Sequence, residues 1–211
     1  MKNEATGQTV QLNIAIIPDT SIQEKAIVMS EQLMRTFATQ FVLNTQNLIP
    51  HITISQARYP QKNIGKVIDI VRNEIAEMKP FPIHLDQCDL VLGEFVFWNA
   101  RRLTNLVDFH QQIVQKTNSL REGLVIEHVA VMQNLSPEDR KEREQYGALL
   151  IGSRYTPHIT VTRLKQPTAI ADIRKVLGEN TQAEFAVSKI IVGYLGNHGT
   201  VTGVIEELPI R

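Results

Sequence analysis

The sequence predicts an α+β fold, duplicated into two lobes, with antiparallel sheets facing a central cleft and helices on the outside. Three observations carry this expectation. Strand and helix patterns recur in the same order in both halves of the chain, equivalent positions keep a nearly constant spacing, and the tetrapeptide Pro-His-Ile-Thr occurs twice. His51 and His158 are offset by 107 residues, Phe81 and Phe185 by 104, and Gly93 and Gly196 by 103. Offsets that agree so closely over a long stretch mark an internal duplication. Residues 1–211 are accordingly read as a single domain of two pseudo-symmetric, interleaved lobes.

Each element has a local reason. "VQLNIAII" (10–17) reads as the first strand, closed by Pro18. An amphipathic helix over 21–38 follows, with Ser21 and Glu24 at capping-box spacing and Ile22, Ala26, Met29, Leu33 and Phe37 as its apolar stripe. Residues 47–55 read as strand. A second helix over 63–78 carries Ile64, Val67, Ile68, Val71, Ile75 and Met78 at helical spacing, and Pro80 ends it. A hairpin over 81–100 turns near Gly93. In the second half, "FVFWNA" takes the place of the first strand, and a helix over 104–119 turns Leu106, Phe109, Ile113 and Leu120 inward. "LIGSRYTPHITVT" repeats the motif strand, a helix runs from Thr168 to Leu177 with Gly178 as its stop, and "EFAVSKIIVGYLG" and "GTVTGVIEEL" form a strand pair. Residues 134–148 interrupt the parallel. They are highly charged, with Ser136 as a helix cap and Pro137 at the first helical position, and read as a solvated surface helix or a lid.

Composition excludes several classes. With 43% hydrophobic and 21% charged residues, the 211-residue chain matches ordinary globular proteins. No apolar run suits a membrane span, and the opening "MKNEATGQTVQ" lacks a secretory signal's apolar stretch. A cytoplasmic protein is expected. Cys88 is the one cysteine, so neither an internal disulfide nor a thiolate metal cluster is available, and it is read as a buried small residue. Twenty-two basic residues balance 22 acidic ones, without the basic excess of a duplex-nucleic-acid binder.

The repeated motif suggests chemistry. Side chains two apart on a strand share a face, so His51 projects beside Thr53 and His158 beside Thr160, roughly 6–7 Å apart along the backbone. Ile52 and Ile159 then turn to the core. If the halves pack about an approximate two-fold axis, both pairs converge on one cleft, each copy supplying half a site. A neutral imidazole can take a proton from water while a protonated one donates to a leaving group. Two hydroxyls can meanwhile donate to the non-bridging oxygens of a phosphodiester. In-line attack at phosphorus is the reaction implied. An isolated His-x-Thr is more often structural. By composition, about one histidine in fifty to a hundred should begin such a triplet, so two among six histidines, each preceded by proline, exceed chance. His84 and His110 read as structural or surface residues, His128 lies in "EHVAV" and His198 in a turn. Neither motif carries the extra ligands a metal needs, so no metal is expected.

The segments "HITI" at 51–54 and "HITV" at 158–161 resemble the paired motifs of the 2H phosphoesterase superfamily, which includes 2'-5' RNA ligase-like proteins and cyclic phosphodiesterases. The likeness in element order runs over about residues 10–206. The resemblance implies that His51 and His158 are general acid and base, in either order, and that Thr53 and Thr160 hold the phosphate. It implies metal-independent hydrolysis of 2',3'-cyclic phosphates, 2',5'-linked nucleotides or RNA ends, or of a sugar-nucleotide cyclic phosphate, with no cofactor. Tyr155 resembles an aromatic found before the second motif and is a candidate to stack on a base, or else packs on its own lobe. Arg154 shares the parity of His158 and is a candidate for a second phosphate. Trp98, Arg101 and Arg102 are candidates for the mouth, against a buried tryptophan and a solvated pair. The expected partner is a small nucleotide or short RNA, with no membrane and no duplex DNA, and the chain is expected to be a monomer. Two other readings use the same cleft: a non-catalytic RNA-end or nucleotide-binding module, and ligation in the reverse direction.

Overall fold

A computed structural model of the chain describes residues 7–210. The reading of the first six residues as free of a secretory signal lies outside that range. In chain order the elements are β1 (Thr9–Ile16), α1 (Thr20–Thr36), β2 (Ile52–Pro60), α2 (Ile64–Ile75), β3 (Pro82–Val91), β4 (Phe95–Ala100) and α3 (Thr104–Thr117). They continue with α4 (Glu127–Ala130), α5 (Pro137–Tyr146), β5 (His158–Arg163), α6 (Ile170–Leu177), β6 (Ala183–Ala186), β7 (Lys189–Leu195) and β8 (Val201–Pro209).

The strands form one antiparallel sheet in the order β6-β3-β4-β5-β2-β1-β7-β8. Its two halves of four strands meet at the motif strands. Between β2 and β5 the register is the single pair Ile52 and Ile159, whereas β1 and β2 pair along their whole length. Connectivity crosses this seam repeatedly. Helix α1 leaves β1 and packs on β5 and α6 in the other half, while α3 leaves β4 and packs on β2 and α2. Strand alternation separates the faces. Leu12, Ile14 and Ile16 of β1, with Ile52, Ile54, Trp98 and Ile159, are buried in the main core together with Ala26, Met29, Leu33, Val67, Val71, Leu106, Phe109 and Ile113 of the helices. The opposite face carries a smaller apolar cluster of Ala15, Ile17, Ile49, Ile191 and Val201 beside the polar Asn13.

Several sequence expectations shift in detail. Helix α1 is capped by Asp19, not Ser21: the Ile22 N–H donates to Oδ1 of Asp19 at 3.0 Å, and the Ser21 hydroxyl donates to the same atom at 2.7 Å. The first motif strand starts at Ile52 and runs on to Pro60, because Asn44 closes a turn by accepting from the N–H groups of Gln46 and Asn47. "EFAVSKIIVGYLG" is two strands. It breaks at Val187 and Ser188, so that β6 pairs with β3 and β7 with β1 in opposite halves of the sheet. The charged segment does form a helix, α5, with Ser136 accepting from the Asp139 N–H and Pro137 in the first turn, and none of its residues is buried. Cys88 is buried, and burial pushes its thiol up to about 12. Among the described residues no helix is long and apolar enough to cross a membrane.

The cap assignment has a measurable consequence. Asp19→Ala should lower stability by about 1 kcal/mol, a fall in Tm of roughly 2–4 °C for a chain of this size, and Ser21→Ala by clearly less. Equal losses in thermal melts would return the cap to Ser21.

Candidate active site

The seam brings the two motifs together. Antiparallel pairing at Ile52 and Ile159 sets His51 opposite Thr160 and Thr53 opposite His158, and opposite residues point to the same face. The two histidines thereby become diagonal neighbours, a relation that spans roughly 7–8 Å. The rings sense each other electrostatically, since a charge on His51 lowers the proton affinity of His158. Ile52 and Ile159 are fully buried on the helix side, so alternation turns the flanking His and Thr to the other face.

Both rings are oriented by the same local device. Nδ1–H of His51 donates to the Ile49 carbonyl and Nδ1–H of His158 to the Thr156 carbonyl, each at 2.7 Å. A carbonyl can only accept, so Nδ1 carries the hydrogen and Nε2 of the neutral ring presents its lone pair. In each copy a proline, Pro50 or Pro157, separates the carbonyl from the histidine. Proline fixes its own φ and favours an extended residue before it, which pre-shapes the loop that aims the carbonyl back at the ring.

The surroundings of the two rings differ. His51 is 6% exposed, and its Nε2 lies 3.2 Å from Nδ2 of Asn13 and 3.2 Å from the Gly199 carbonyl oxygen. His158 stacks on Phe97, with ring centroids 3.6 Å apart and planes at 16°. Burial lowers the pKa of His51, against the two carbonyls of Ile49 and Gly199, which favour its cation. Burial also lowers His158, to about 4, opposed by the Thr156 carbonyl and reinforced by His51. Without ligand, both rings are neutral at pH 7. Thr53 Oγ1 accepts from Asn13 Nδ2 at 3.1 Å and from Gln56 Nε2 at 3.4 Å.

The outer candidates take the packing alternative over the ligand-contact one. Tyr155 is buried, its hydroxyl donates to the Thr53 carbonyl at 2.8 Å, and one ring face is covered by His110 at a centroid distance of 4.0 Å with planes at 1°. His110 is itself fixed, its Nδ1–H donating to the Ile54 carbonyl and its Nε2 accepting from the Gly152 N–H. Tyr155 is therefore a strut tying the loop before the second motif to the strand of the first, not an open platform for a base. Arg154 is bound to α5, at 2.7 Å from Asp139 and 3.3 Å from Glu142, so its charge is already matched and it is not free for a second phosphate. Trp98 is fully buried and donates from Nε1 to the Asp86 carbonyl; Arg101 pairs with Asp86, and Arg102 donates to the Tyr155 and Gly152 carbonyls. Trp98 is thus the buried tryptophan of the alternative reading, and the two arginines are each held by partners within the protein.

Asn13, Gly199 and Phe97 are site residues that motif reading did not find. A polar residue inside the apolar run "LNIAII" was a visible signal for Asn13; a backbone carbonyl such as that of Gly199 leaves none. Among the described residues, no three or more His, Cys, Asp or Glu gather in a metal-holding group.

Comparison with known proteins agrees with this architecture. The family model described as the 2'-5' RNA ligase superfamily matches residues 31–198. No curated protein sequence matches the chain. Among solved structures, TT0787 of Thermus thermophilus superposes with a TM-score of 0.61 at 12% identity, covering 95% of this chain and 98% of that one. E. coli LigT complexed with 3'-AMP gives 0.59 at 13% identity, covering 97% and 99%, and its complex with phosphate gives 0.58 at 12% with the same coverage. At such identities the structural likeness concerns the fold. The family match, which spans most of the chain and includes both His-Ile-Thr segments, goes further: the chain belongs to the 2'-5' RNA ligase superfamily.

Proposed function

We propose that this protein is a metal-independent phosphodiesterase acting on 2',3'-cyclic phosphates, 2',5'-linked nucleotides or RNA ends, with His51 and His158 as general acid and base. The observation that carries the reading is the paired orientation of the two rings. Each commits Nδ1–H to a carbonyl two residues upstream, which makes Nε2 the ring nitrogen that exchanges a proton. Nucleotides as the ligand class are supported by E. coli LigT, solved with ATP, 3'-AMP and NADP+.

The chemistry balances without a cofactor. The base ring takes a proton from water at Nε2 as the water oxygen bonds to phosphorus. The bond from phosphorus to one ribose oxygen breaks in line, and the acid ring delivers its proton to that oxygen. Thr53 and Thr160 donate to the equatorial oxygens, where negative charge grows. The acid ring is neutral in the free protein, so its proton is taken up as the phosphate anion arrives between the rings and raises its pKa.

Three outcomes test this. His51→Ala and His158→Ala should each lower kcat on a 2',3'-cyclic mononucleotide by about a hundredfold or more, with circular dichroism unchanged and with chelator harmless to the wild type; near-normal turnover in either variant refutes the assignment. Because both imidazoles lie below their ordinary pKa of 6.5, a base that must be neutral and an acid that must be protonated coexist only at low pH. The optimum of kcat/KM should fall below pH 6.5, and one above 7.5 contradicts the description of the rings. Tyr155→Phe should lower stability by about 1 kcal/mol by unpairing the Thr53 carbonyl, with KM unchanged; a raised KM at unchanged Tm would restore Tyr155 as a ligand contact.

A further inference from the structure

Asn13 sits in the middle of β1 with no exposed surface, on the same face as the motif residues. Its Nδ2 lies within hydrogen-bond distance of His51 Nε2 (3.2 Å), Thr53 Oγ1 (3.1 Å) and the Gly199 carbonyl (3.4 Å). Its Oδ1 is buried and has no partner. A buried amide with an orphaned oxygen is costly to keep where a strand position would accept valine or isoleucine.

We propose that Asn13 is a positioning residue that makes the first half-site different from the second: its amide favours the neutral form of His51 and aims the Thr53 hydroxyl hydrogen at a phosphoryl oxygen. The argument for Thr53 is a count. A hydroxyl has two acceptor positions and one hydrogen. Asn13 and Gln56 donate into the acceptor positions, so the hydrogen is left for a ligand that can only accept. An anionic phosphoryl oxygen is such a ligand, and a ligand donor is refused. For His51, Nδ1–H is already given to Ile49, and Asn13 donates to Nε2 in the neutral ring. When Nε2 gains a proton, the Gly199 carbonyl at 3.2 Å is the acceptor in place. Asn13 and Gly199 thus serve opposite protonation states of one nitrogen.

The second half-site has no counterpart. Ala15 pairs with Thr53 and Phe97 with Thr160, so the position two residues before, Asn13 on β1, corresponds to Phe95 on β4. The ring stacked on His158 is that of Phe97, at the position of Ala15, and Asn99, opposite His158 on β4, makes no side-chain hydrogen bond to it. The titratable group coupled to His51 is His158 on β5; His198, beside Gly199 on the connection between β7 and β8, turns its ring to Arg163 and Phe41.

This inference rests on the phosphodiesterase reading for Thr53 but not for His51, and the experiment separates the two. The His51 titration is followed by proton-nitrogen NMR in ligand-free wild type, Asn13→Ala and Asn13→Asp. The expected order of His51 pKa is wild type below Ala below Asp, with Asp raised by about one unit or more, because it replaces a donor by an anion beside Nε2. Both variants should lose about tenfold or more in kcat/KM on a 2',3'-cyclic mononucleotide, the scale of one hydrogen bond to a charged oxygen. If Asn13→Asp does not fold, Asn13→Ala decides alone. A lowered Tm with an unmoved His51 titration and kcat/KM within twofold would make Asn13 merely structural and overturn the proposal. Absence of turnover in the wild type would remove the enzymatic reading while the titration order still judges the role of Asn13.

Discussion

The architecture depends on one point of backbone pairing, where Ile52 lies opposite Ile159. Strand pairing has a period of two, so fixing one pair fixes which face every neighbouring side chain takes. Burial of these two isoleucines against the helices forces His51, Thr53, His158 and Thr160 to the other face, and the antiparallel sense sets each histidine across from the other copy's threonine. Because the strands pair so briefly, the face at the seam is not closed by a ladder of neighbouring side chains. The crossed packing of α1 on β5 and α3 on β2 holds the seam from behind, so each half depends on a helix that started in the other.

A duplicated framework does not require duplicated chemistry. The orientation of the rings is the same in both copies because it is local, a proline-shaped loop returning a carbonyl to Nδ1. The environment of the rings is set by strands far away in sequence, and there the copies differ: Asn13 and the Gly199 carbonyl around His51, Phe97 against His158. The first surrounding has carbonyls ready to accept from a cation, and the second is apolar on one face. General acid–base chemistry asks for two rings with unequal proton affinity, and asymmetric neighbours on a symmetric scaffold are a direct way to obtain it.

The residues around the motifs are committed to holding them in place. Tyr155 and His110 link the loop of residues 152–155 to the strand of the first motif, Arg102 ties it to the segment after β4, and Arg154 fastens it to α5. Side chains that look like ligand contacts in sequence, an aromatic and an arginine beside the second His-Ile-Thr motif, here have their hydrogen-bonding groups met by the protein. A satisfied guanidinium between two carboxylates has little left to offer a phosphate.

What the sequence determined by itself was whatever has a short period or an exact repeat. The apolar stripes gave α1, α2 and α3, Gly178 gave the end of α6, Ser136 and Pro137 gave the start of α5, the positive φ demanded at Gly93 placed a hairpin turn, and the doubled Pro-His-Ile-Thr gave the candidate histidines and threonines with their shared face. The tertiary structure decided what depends on partners distant in the chain. It split "EFAVSKIIVGYLG" between two halves of the sheet, since only the places beside β3 and β1 dictate where a strand ends. It turned Tyr155 inward and Arg154 toward α5, and it brought Asn13 and the Gly199 carbonyl, 186 residues apart, to the same imidazole. Periodicity records which face a residue takes; which group it meets there is fixed only when the strands find their neighbours.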